Sequence, residues 1–389
     1  MSRLFTILGH FLVVAIVLVL AGFGLLVANK GSIGLGTDEL AFKVGNEGPY
    51  VFTDGEQLQM LTIRGERAQG FWVEQQTAPL DQPPPAQIYF ALEDSFYPIT
   101  IQPSIQIPAD TYNDQQPIVA ISDLEGNFKA FRDFLIAHEI VDLNLQWQFG
   151  QGHLVLVGDM VDRGSATTQL LWLIHDLEQQ AQRAGGHVHY IIGNHELKNL
   201  SGDFSSAAKR YIPIAGILGK TQAQWFGEQS VLGQWLASKN SIEQINGYLF
   251  VHGGLHPEVA SLGLSLAEIN QRARAHYRAY YYLKPKQDPI DALLLSNQTG
   301  IAWYRGYFKD DVTQAQVDAS LAAFDALGIV VGHTLQFNVN RQYNGKVFAI
   351  DVKHPEDYTQ NIPAKSSQGL WLEGQHAYRL LNDGSREGM

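Results

Sequence analysis

Five consecutive apolar runs of this sequence end in side chains that can bind a metal ion. The endings, in chain order, are Asp123 with Glu125, 158-GDMVDRG-164, 193-GNHE-196, 252-HGG-254 and 332-GHT-334. A single Asp after a strand is usually a helix cap or a turn residue. Five successive endings with Asp, Asn or His instead indicate one polar site, in which carboxylates and imidazoles could hold divalent metal.

An α/β framework is needed to bring these endings together. From Pro117 onward, apolar runs of strand length alternate with helical stretches at about 127–138, 166–184, 226–239 and 314–327. The runs are mostly apolar, which predicts strands buried on both faces. In chain order they are 118-IVAIS, 153-HLVLVG, 188-VHYIIG, 248-YLFVHG, 329-IVVGH and 347-VFAID. Ligands of open α/β sheets bind outside the carboxyl ends of the strands, so the five endings should meet at one edge. The stretch 369–381 predicts a closing β-hairpin.

The sequence predicts four segments along the chain. Residues 1–30 are an apolar anchor, and residues 31–115 are a Gly-rich tether followed by a small β-rich unit. The short alternating segments of that unit, which include PITIQPSIQI, run from about 48 to 110. Residues 116–382 form the main α/β domain, and residues 383–389 form a tail.

Composition restricts the classes of function. The 389 residues carry a net charge of -12, which argues against a nucleic-acid partner. Any phosphate site must therefore supply its positive charge locally. The chain has no cysteine, so disulfides, zinc–thiolate sites and thiol nucleophiles are excluded.

The uncharged run 4–28 predicts a membrane segment. As a helix it would span about 37 Å, enough for a hydrocarbon core of about 30 Å. Arg3 before the run and Lys30 after it give a weak bias that places the N-terminus in the cytoplasm. Alternatives are a signal peptide cleaved near Val19-Leu20-Ala21 and a buried helix of a soluble fold. We expect a single-pass protein of the cytoplasmic (inner) membrane with a periplasmic catalytic domain.

The motifs GDMVDRG and GNHE at this spacing resemble those of the metal-dependent phosphoesterases of the calcineurin-like superfamily. The resemblance covers about residues 117–352, and the nearest branch is the phosphoprotein-phosphatase type, including its bacterial Shewanella-like members. It implies the metallophosphatase fold for 116–382: two packed mixed β-sheets flanked by helices, with the metal site at the C-terminal ends of the strands.

The same resemblance implies a binuclear metal centre that hydrolyses phosphomonoesters by in-line attack of metal-bound hydroxide. Mn²⁺ is expected first, with Mg²⁺, Fe or Zn²⁺ as alternatives. Asp159 would bridge the two ions. The remaining implied ligands are Asn194, His252 and His333 at the second site, and Asp123 with the residue at position 125 at the first.

Four further residues receive catalytic roles from the family's pattern. His195 would protonate the leaving oxygen, and Asp162 would hold its imidazole in the required tautomer. Arg163, and Arg305 in 303-WYRGYF-308, would bind phosphate oxygens through their planar forks. The alternatives are a salt bridge of Arg163 to a neighbouring Asp, and a surface position for Arg305.

Position 125 departs from the family, most of which has Asp-x-His-Gly where this chain has Asp123-Leu124-Glu125-Gly126. In one interpretation Glu125 is a ligand and the first site is all-carboxylate, which suits hard ions such as Mg²⁺ and Mn²⁺. In a second, Glu125 points away and the first site is weak or filled by another ligand. In a third, the chain binds metal without catalysis.

The sequence thus predicts a membrane-anchored phosphatase acting on a phosphorylated substrate, with phosphoprotein as the first choice. Alternatives are a small-molecule or nucleotide phosphohydrolase and a non-catalytic metal-binding receptor or scaffold. The cluster 280-YYY-282 with Leu283-Lys284-Pro285 could shape a substrate groove or end an ordinary helix. His354 is among the histidines that match no motif and is assigned to the surface or to packing.

Overall fold

The computed structural model describes residues 2–28, 32–279, 288–309 and 311–389. Lys30 and the aromatic cluster 280-YYY-282, with the three residues after it, lie outside these ranges.

Two mixed β-sheets form the centre of the described chain. The first contains, in spatial order, β10 (His187–Tyr190), β9 (His153–Leu156), β8 (Ile118–Ile121), β17 (Gln368–Glu373), β18 (His376–Leu381) and β19 (Arg386–Gly388). The second contains β14 (Asn340–Gln342), β15 (Val347–Ala349), β13 (Gly328–Val331), β12 (Tyr248–Val251), β11 (Ile242–Ile245) and β7 (Thr111–Tyr112). Strands β8, β9 and β10 run parallel, as do β12, β13 and β15, so their carboxyl ends share one edge in each sheet.

The two sheets pack face to face, as the sequence predicts. Ile118 and Ala120 of β8 share a buried cluster with Phe250 of β12 and Val330 of β13. The alternate residues of β8, such as Val119, face a second buried cluster on the helix side. The predicted burial of these strands on both faces is therefore confirmed.

Helices cover the outer faces and connect the strands. They are α2 (Phe128–Ala137), α3 (Thr167–Ala184), α4 (Asn194–Ser201), α5 (Tyr211–Leu218), α6 (Gln222–Trp225), α7 (Val231–Ser238), α8 (Pro257–Ala260), α9 (Leu266–His276), α10 (Pro289–Leu295) and α11 (Gln314–Ala322). The predicted helix 226–239 begins late because Ser230 caps α7 by accepting a hydrogen bond from the Gly233 N–H. The predicted helix 314–327 ends early, and Asp325 in the following turn has a positive φ of 49°.

Residues 50–99 form the predicted β-rich structure. Strands β2 (Tyr50–Thr53), β3 (Gln57–Glu66) and β4 (Gly70–Pro79) form one sheet, and β5 (Ala86–Phe90) pairs with β6 (Ser95–Ile99). The predicted continuation of strand structure to about 110 is wrong. Pro103 and Pro108 lack the N–H groups that a ladder needs, and residues 101–108 contain no strand or helix.

The chain ends are more structured than the sequence predicts. The segment expected as a tether contains β1 (Ile33–Thr37), which pairs antiparallel with β16 (Thr359–Ile362). The expected tail contains β19, which pairs with β18 and extends the predicted closing hairpin.

At the N-terminus, the side chains that the structure describes in α1 (Ser2–Ala28) are exposed or half-buried. Its segment Phe5–Ala28 has a mean hydropathy of 3.0 and is long and apolar enough to cross a membrane. The alternative of a helix buried in a soluble fold is wrong, since none of its most apolar window is buried. A membrane anchor and a signal sequence both fit this segment.

Candidate metal centre

Backbone hydrogen bonds join the loop after β8 to the loop after β9. The Asp123 N–H donates to the Gly158 carbonyl at 3.0 Å, and the Glu125 N–H donates to the Asp159 carbonyl at 3.0 Å. Gly126 has a φ of 71°, and a Cβ there would lie 2.7 Å from the Thr167 hydroxyl. Only glycine therefore fits this turn, which holds two acidic loops side by side.

Several of the expected site residues have left-handed backbone conformations. Among the described non-glycine residues with positive φ are Asp123, Glu125, Asp159, Asp162, Arg163 and His333. Such conformations cost of order 1–3 kcal/mol each and cluster at functional sites. All of these residues except Asp162 also line one cavity.

Asp159, His252 and His333 form the tightest potential metal-binding group in the described chain. One ligand atom from each lies within 4.8 Å of the others. The Asn194 Oδ1 lies 3.1 Å from the His252 Nε2, so the four side chains predicted for the second metal site are together.

The donor set of this group fits a cation. The His252 Nδ1–H donates to the Val157 carbonyl at 2.7 Å, so neutral His252 directs the lone pair of Nε2 at the Asp159 Oδ2, 3.1 Å away. Burial opposes a charge on His252, but Asp159 and Asp123 raise its pKa to about 10. The Nε2 of His252 and the oxygens of Asp159 and Asn194 thus converge, and a divalent ion would satisfy these three acceptors together.

His333 is also prepared as a neutral ligand. Its Nε2–H donates to the Trp303 carbonyl at 3.0 Å, which leaves Nδ1 with a lone pair. Burial lowers the pKa of His333 to about 2, so the imidazole is uncharged at neutral pH.

The first predicted metal site is only partly assembled in the structure. Asp123 is buried, and its Oδ2 accepts a hydrogen bond from the His333 backbone N–H at 3.1 Å. Burial, followed by repulsion from Asp159, raises the pKa of Asp123 to about 7. A cation next to Asp123 would favour its charged form.

Glu125 makes two ion pairs at the edge of the site. Its Oε1 contacts the Arg163 guanidinium, and its Oε2 lies 3.9 Å from the Lys353 Nζ. Both the ligand interpretation and the one in which Glu125 points away stay predictions. Arg163 therefore forms a salt bridge, as the alternative for this residue predicts, but its partner is Glu125 and not a neighbouring aspartate.

His195 and Asp162 form a buried pair beside the metal group. The His195 Nδ1 is 2.7 Å from the Asp162 Oδ2, and the other Asp162 oxygen accepts a hydrogen bond from Asn199 at 2.8 Å. The His195 Nε2 points toward the site, 3.9 Å from the Asp159 Oδ2 and 3.1 Å from the Arg163 Nη2. This is the geometry of an imidazole oriented for proton transfer.

A cavity of about 570 Å³ opens over these residues. Arg163 and Arg305 both line it, although Arg305 also contacts the His333 carbonyl and lies 3.2 Å from the Thr334 hydroxyl. Lys198 and Lys353 add two further cations to the lining. These four side chains supply, within the cavity, the positive charge that an acidic protein needs to bind an anion.

Three residues at the site were not predicted from the sequence: Glu196, Asp351 and His354. Glu196, in the GNHE motif, accepts hydrogen bonds from the backbone N–H groups of Asp159 and Met160 at 2.9 and 2.8 Å, which fixes the loop that carries Asp159. Asp351 ends the sixth apolar run, 347-VFAID, and lines the cavity, where burial and Asp123 raise its pKa. His354 is packed, as predicted, but also lines the cavity, with its Nε2 on the Ser122 carbonyl at 2.9 Å.

Comparisons with known proteins agree with this geometry. The family model for calcineurin-like phosphoesterases matches residues 116–337. Shewanella-like protein phosphatase 2 of Arabidopsis thaliana is 22% identical over 321 residues, which are 70% of this chain and 80% of that protein. Shewanella-like protein phosphatase 1 of Plasmodium berghei is 25% identical over 246 residues, 60% of this chain and 66% of that protein.

A solved structure gives a similar result. The crystal structure of a cold-active protein-tyrosine phosphatase from a psychrophilic Shewanella species superposes with a TM-score of 0.75. The two chains are 32% identical, and the match covers 88% of this chain and 98% of that one. The predicted metallophosphatase fold is confirmed by these likenesses.

Proposed function

As this chain belongs to the calcineurin-like phosphoesterase family and is a metal-dependent phosphatase, we propose that it hydrolyses phosphomonoesters of protein side chains at a centre of two divalent ions. One observation carries this proposal. The acceptors of Asp159, Asn194 and His252 converge beside the His195–Asp162 pair, at the floor of a cavity lined by arginines.

The residues that would hold the ions divide into two sets. Asp159 would contribute to both ions, Asn194, His252 and His333 would hold the second, and Asp123 with Glu125 would hold the first. When bound, the ions would activate a water molecule and offset the negative charge of the phosphate. Because the first set has only oxygen donors, Mn²⁺ or Mg²⁺ is proposed ahead of Zn²⁺.

The remaining roles belong to the chain's own side chains. Arg163 and Arg305 bind the phosphate oxygens, which requires Arg163 to exchange its contact with Glu125 for the substrate. His195 donates a proton from Nε2 to the leaving oxygen, and Asp162 keeps the imidazole oriented and supports its charge.

Phosphotyrosine is favoured as the substrate side chain by the cavity wall. Trp303, Leu335 and Val352 give the polar cavity an apolar side against which an aromatic ring could pack. Leu335 is 58% exposed at this wall, so its side chain is accessible to such a ring. The similar Shewanella enzyme is also a protein-tyrosine phosphatase.

The location proposed for the enzyme is the cytoplasmic membrane, with α1 retained as a single-pass anchor and the catalytic domain in the periplasm. The length and exposure of Phe5–Ala28 support the anchor. Residues 116–382 are proposed as the metallophosphoesterase domain, and residues 31–115 as a segment that packs on it.

Phosphate release by the purified full-length chain in detergent tests the function. The metal-stripped chain receives Mn²⁺, Mg²⁺ or Zn²⁺, and p-nitrophenyl phosphate is compared with bis-p-nitrophenyl phosphate, diadenosine tetraphosphate and phosphotyrosine and phosphoserine peptides. Asp159→Asn is the inactive variant, and Asp318→Asn, at an exposed acid, is its matched control.

Metal-dependent turnover of monoesters in the parent and the control, but not in Asp159→Asn, is the expected result. A preference for the bis-ester or the dinucleotide would overturn the monoesterase proposal. A folded chain that binds metal but releases no phosphate from any substrate would support a binding protein instead.

A further inference from the structure

A set of exposed apolar side chains lies close to the point where the chain leaves α1. Ile33 is 50% exposed and Ile362, its direct partner in the β1–β16 pair, is 46% exposed. Phe42 is 61% exposed and Ile212, at the start of α5, is 66% exposed. These four residues are named here the apolar face.

Contacts within the fold connect the members of this face. Strand β1 leads through Asp38, whose N–H donates to the Tyr358 carbonyl at 2.8 Å, into the short turn that ends at Phe42. The next residue, Lys43, offers its carbonyl to the Arg210 guanidinium at 2.6 Å, and Ile212 lies two residues further on. These contacts bring the segments that carry the four residues near one another, with Ile33 and Ile362 directly paired.

The length of α1 fixes how far this strip can lie from a bilayer. The segment Phe5–Ala28 has 24 residues and would span about 36 Å, roughly 6 Å more than the hydrocarbon core. Five residue steps separate Ala28 from Ile33, and an extended chain covers at most about 18 Å in that number. Ile33 therefore lies at most about 18 Å from the end of α1 whenever α1 is inserted, which is within reach of the headgroup region.

We propose that the apolar face rests on the lipid surface and orients the catalytic domain against the membrane. This proposal uses the membrane anchor proposed above. Single exposed apolar residues are ordinary, but four on neighbouring segments that follow a membrane helix fit an interfacial contact. Because Asp38 and Glu39 lie between Ile33 and Phe42 in the chain, the contact should form on neutral lipid and should not need anionic headgroups.

The absence of cysteine from the chain allows a direct test. Single substitutions Phe42→Cys, Ile212→Cys and Ile362→Cys are labelled with a fluorophore in the full-length chain, reconstituted in phosphatidylcholine vesicles that carry a headgroup nitroxide. Leu143→Cys and Leu327→Cys are matched controls, since these leucines are 80% and 61% exposed outside the apolar face.

We expect labels on the apolar face to be quenched at least about twofold more than the control labels, because interfacial side chains enter only about 5–10 Å into the lipid boundary. Adding Phe42→Asp and Ile212→Asp together should bring quenching at Ile362→Cys to the control value. Equal quenching at all five positions in vesicles that retain the protein on flotation would overturn the face but leave the anchor. A chain that does not float with the vesicles would overturn both.

Discussion

The buried ion pair between Glu47 and Arg210 should stabilise the whole catalytic domain. Their side chains are 1% and 3% exposed, and the Arg210 Nη2 lies 2.8 Å from the Glu47 Oε2. Arg210 also contacts the Ser165 carbonyl, just after the Asp162-Arg163-Gly164 turn. The pair thus joins the β-rich N-terminal structure to a loop of the proposed active site.

The substitution Glu47→Gln removes the charge but can keep the hydrogen bonds. The Glu47 carboxylate also accepts hydrogen bonds from Gln169 at 3.1 Å and Tyr50 at 3.2 Å, and an amide can occupy the same positions if the Tyr50 hydroxyl rotates. The loss is then mainly electrostatic. Two unit charges about 4 Å apart at an effective dielectric constant of about 20 interact by about 4 kcal/mol.

We therefore expect Glu47→Gln to lower the free energy of unfolding by about 3–4 kcal/mol, within the usual range for breaking a buried pair. At about 2 °C per kcal/mol for a long chain, Tm should fall by roughly 6–8 °C. Urea unfolding followed by circular dichroism measures the first quantity and differential scanning calorimetry the second. Glu56→Gln, at an exposed position, is the matched control and should change neither.

A double-mutant cycle with Arg210→Met tests the electrostatic origin. Because Glu47→Gln leaves the Arg210 charge buried without its partner, adding Arg210→Met should recover part of the lost stability. A loss below about 1 kcal/mol in Glu47→Gln, or strictly additive effects in the cycle, would refute this explanation. If the variant destabilises only one of two separate unfolding transitions, the N-terminal structure folds independently of the domain.

Three further substitutions have defined outcomes. Glu125→Gln should lower the number of metal ions bound per chain, as measured by inductively coupled plasma mass spectrometry. An unchanged metal content with a raised KM would instead indicate that Glu125 positions Arg163. Asp162→Asn should lower kcat about 10²–10⁴-fold with metal content unchanged, because an amide does not support the His195 imidazolium; loss of metal would make Asp162 a structural residue. Burial lowers the pKa of His175 to about 4, so unfolding, which restores an ordinary pKa near 6.5, takes up a proton. Stability should therefore fall by about 2 kcal/mol between pH 7 and 4.5, and His175→Phe should flatten this dependence in urea titrations; an unchanged pH profile would contradict it.

The sequence predicts the positions of the strands well, but it predicts poorly which strands pair with each other. Apolar runs such as 118-IVAIS are unambiguous because both faces are buried. The placement of β17 beside β8 depends on a pairing more than 240 residues apart in sequence, which no local pattern encodes. The late start of α7 had a readable signal in Ser230, a good helix cap, whereas the pairing of β1 with β16 had none.

In the candidate site, too, local patterns were predictable and contacts between distant loops were not. Asp159 and His252 could be predicted as metal ligands from motifs, because metal binding needs particular side-chain types at particular positions. Glu196 was missed since its carboxylate acts on backbone N–H groups that meet only after two loops fold together. Asp351 could have been found, because it ends an apolar run in the same way as the five endings that were counted.

The histidine-to-glutamate exchange at position 125 does not disturb the frame of the site. The backbone of Glu125 donates to the Asp159 carbonyl and accepts from the Gly164 N–H at 2.8 Å, and neither bond depends on the side chain. A Cβ on Gly164 would lie 2.4 Å from the Glu125 carbonyl, so glycine at 164 maintains this close approach for any residue at 125. The Glu125 side chain therefore differs from histidine without disturbing the backbone contacts of this loop. Because Asp159, His252 and His333 keep an arrangement that could hold a metal ion, we expect the exchange to adjust metal preference and phosphate binding at the proposed site without abolishing catalysis.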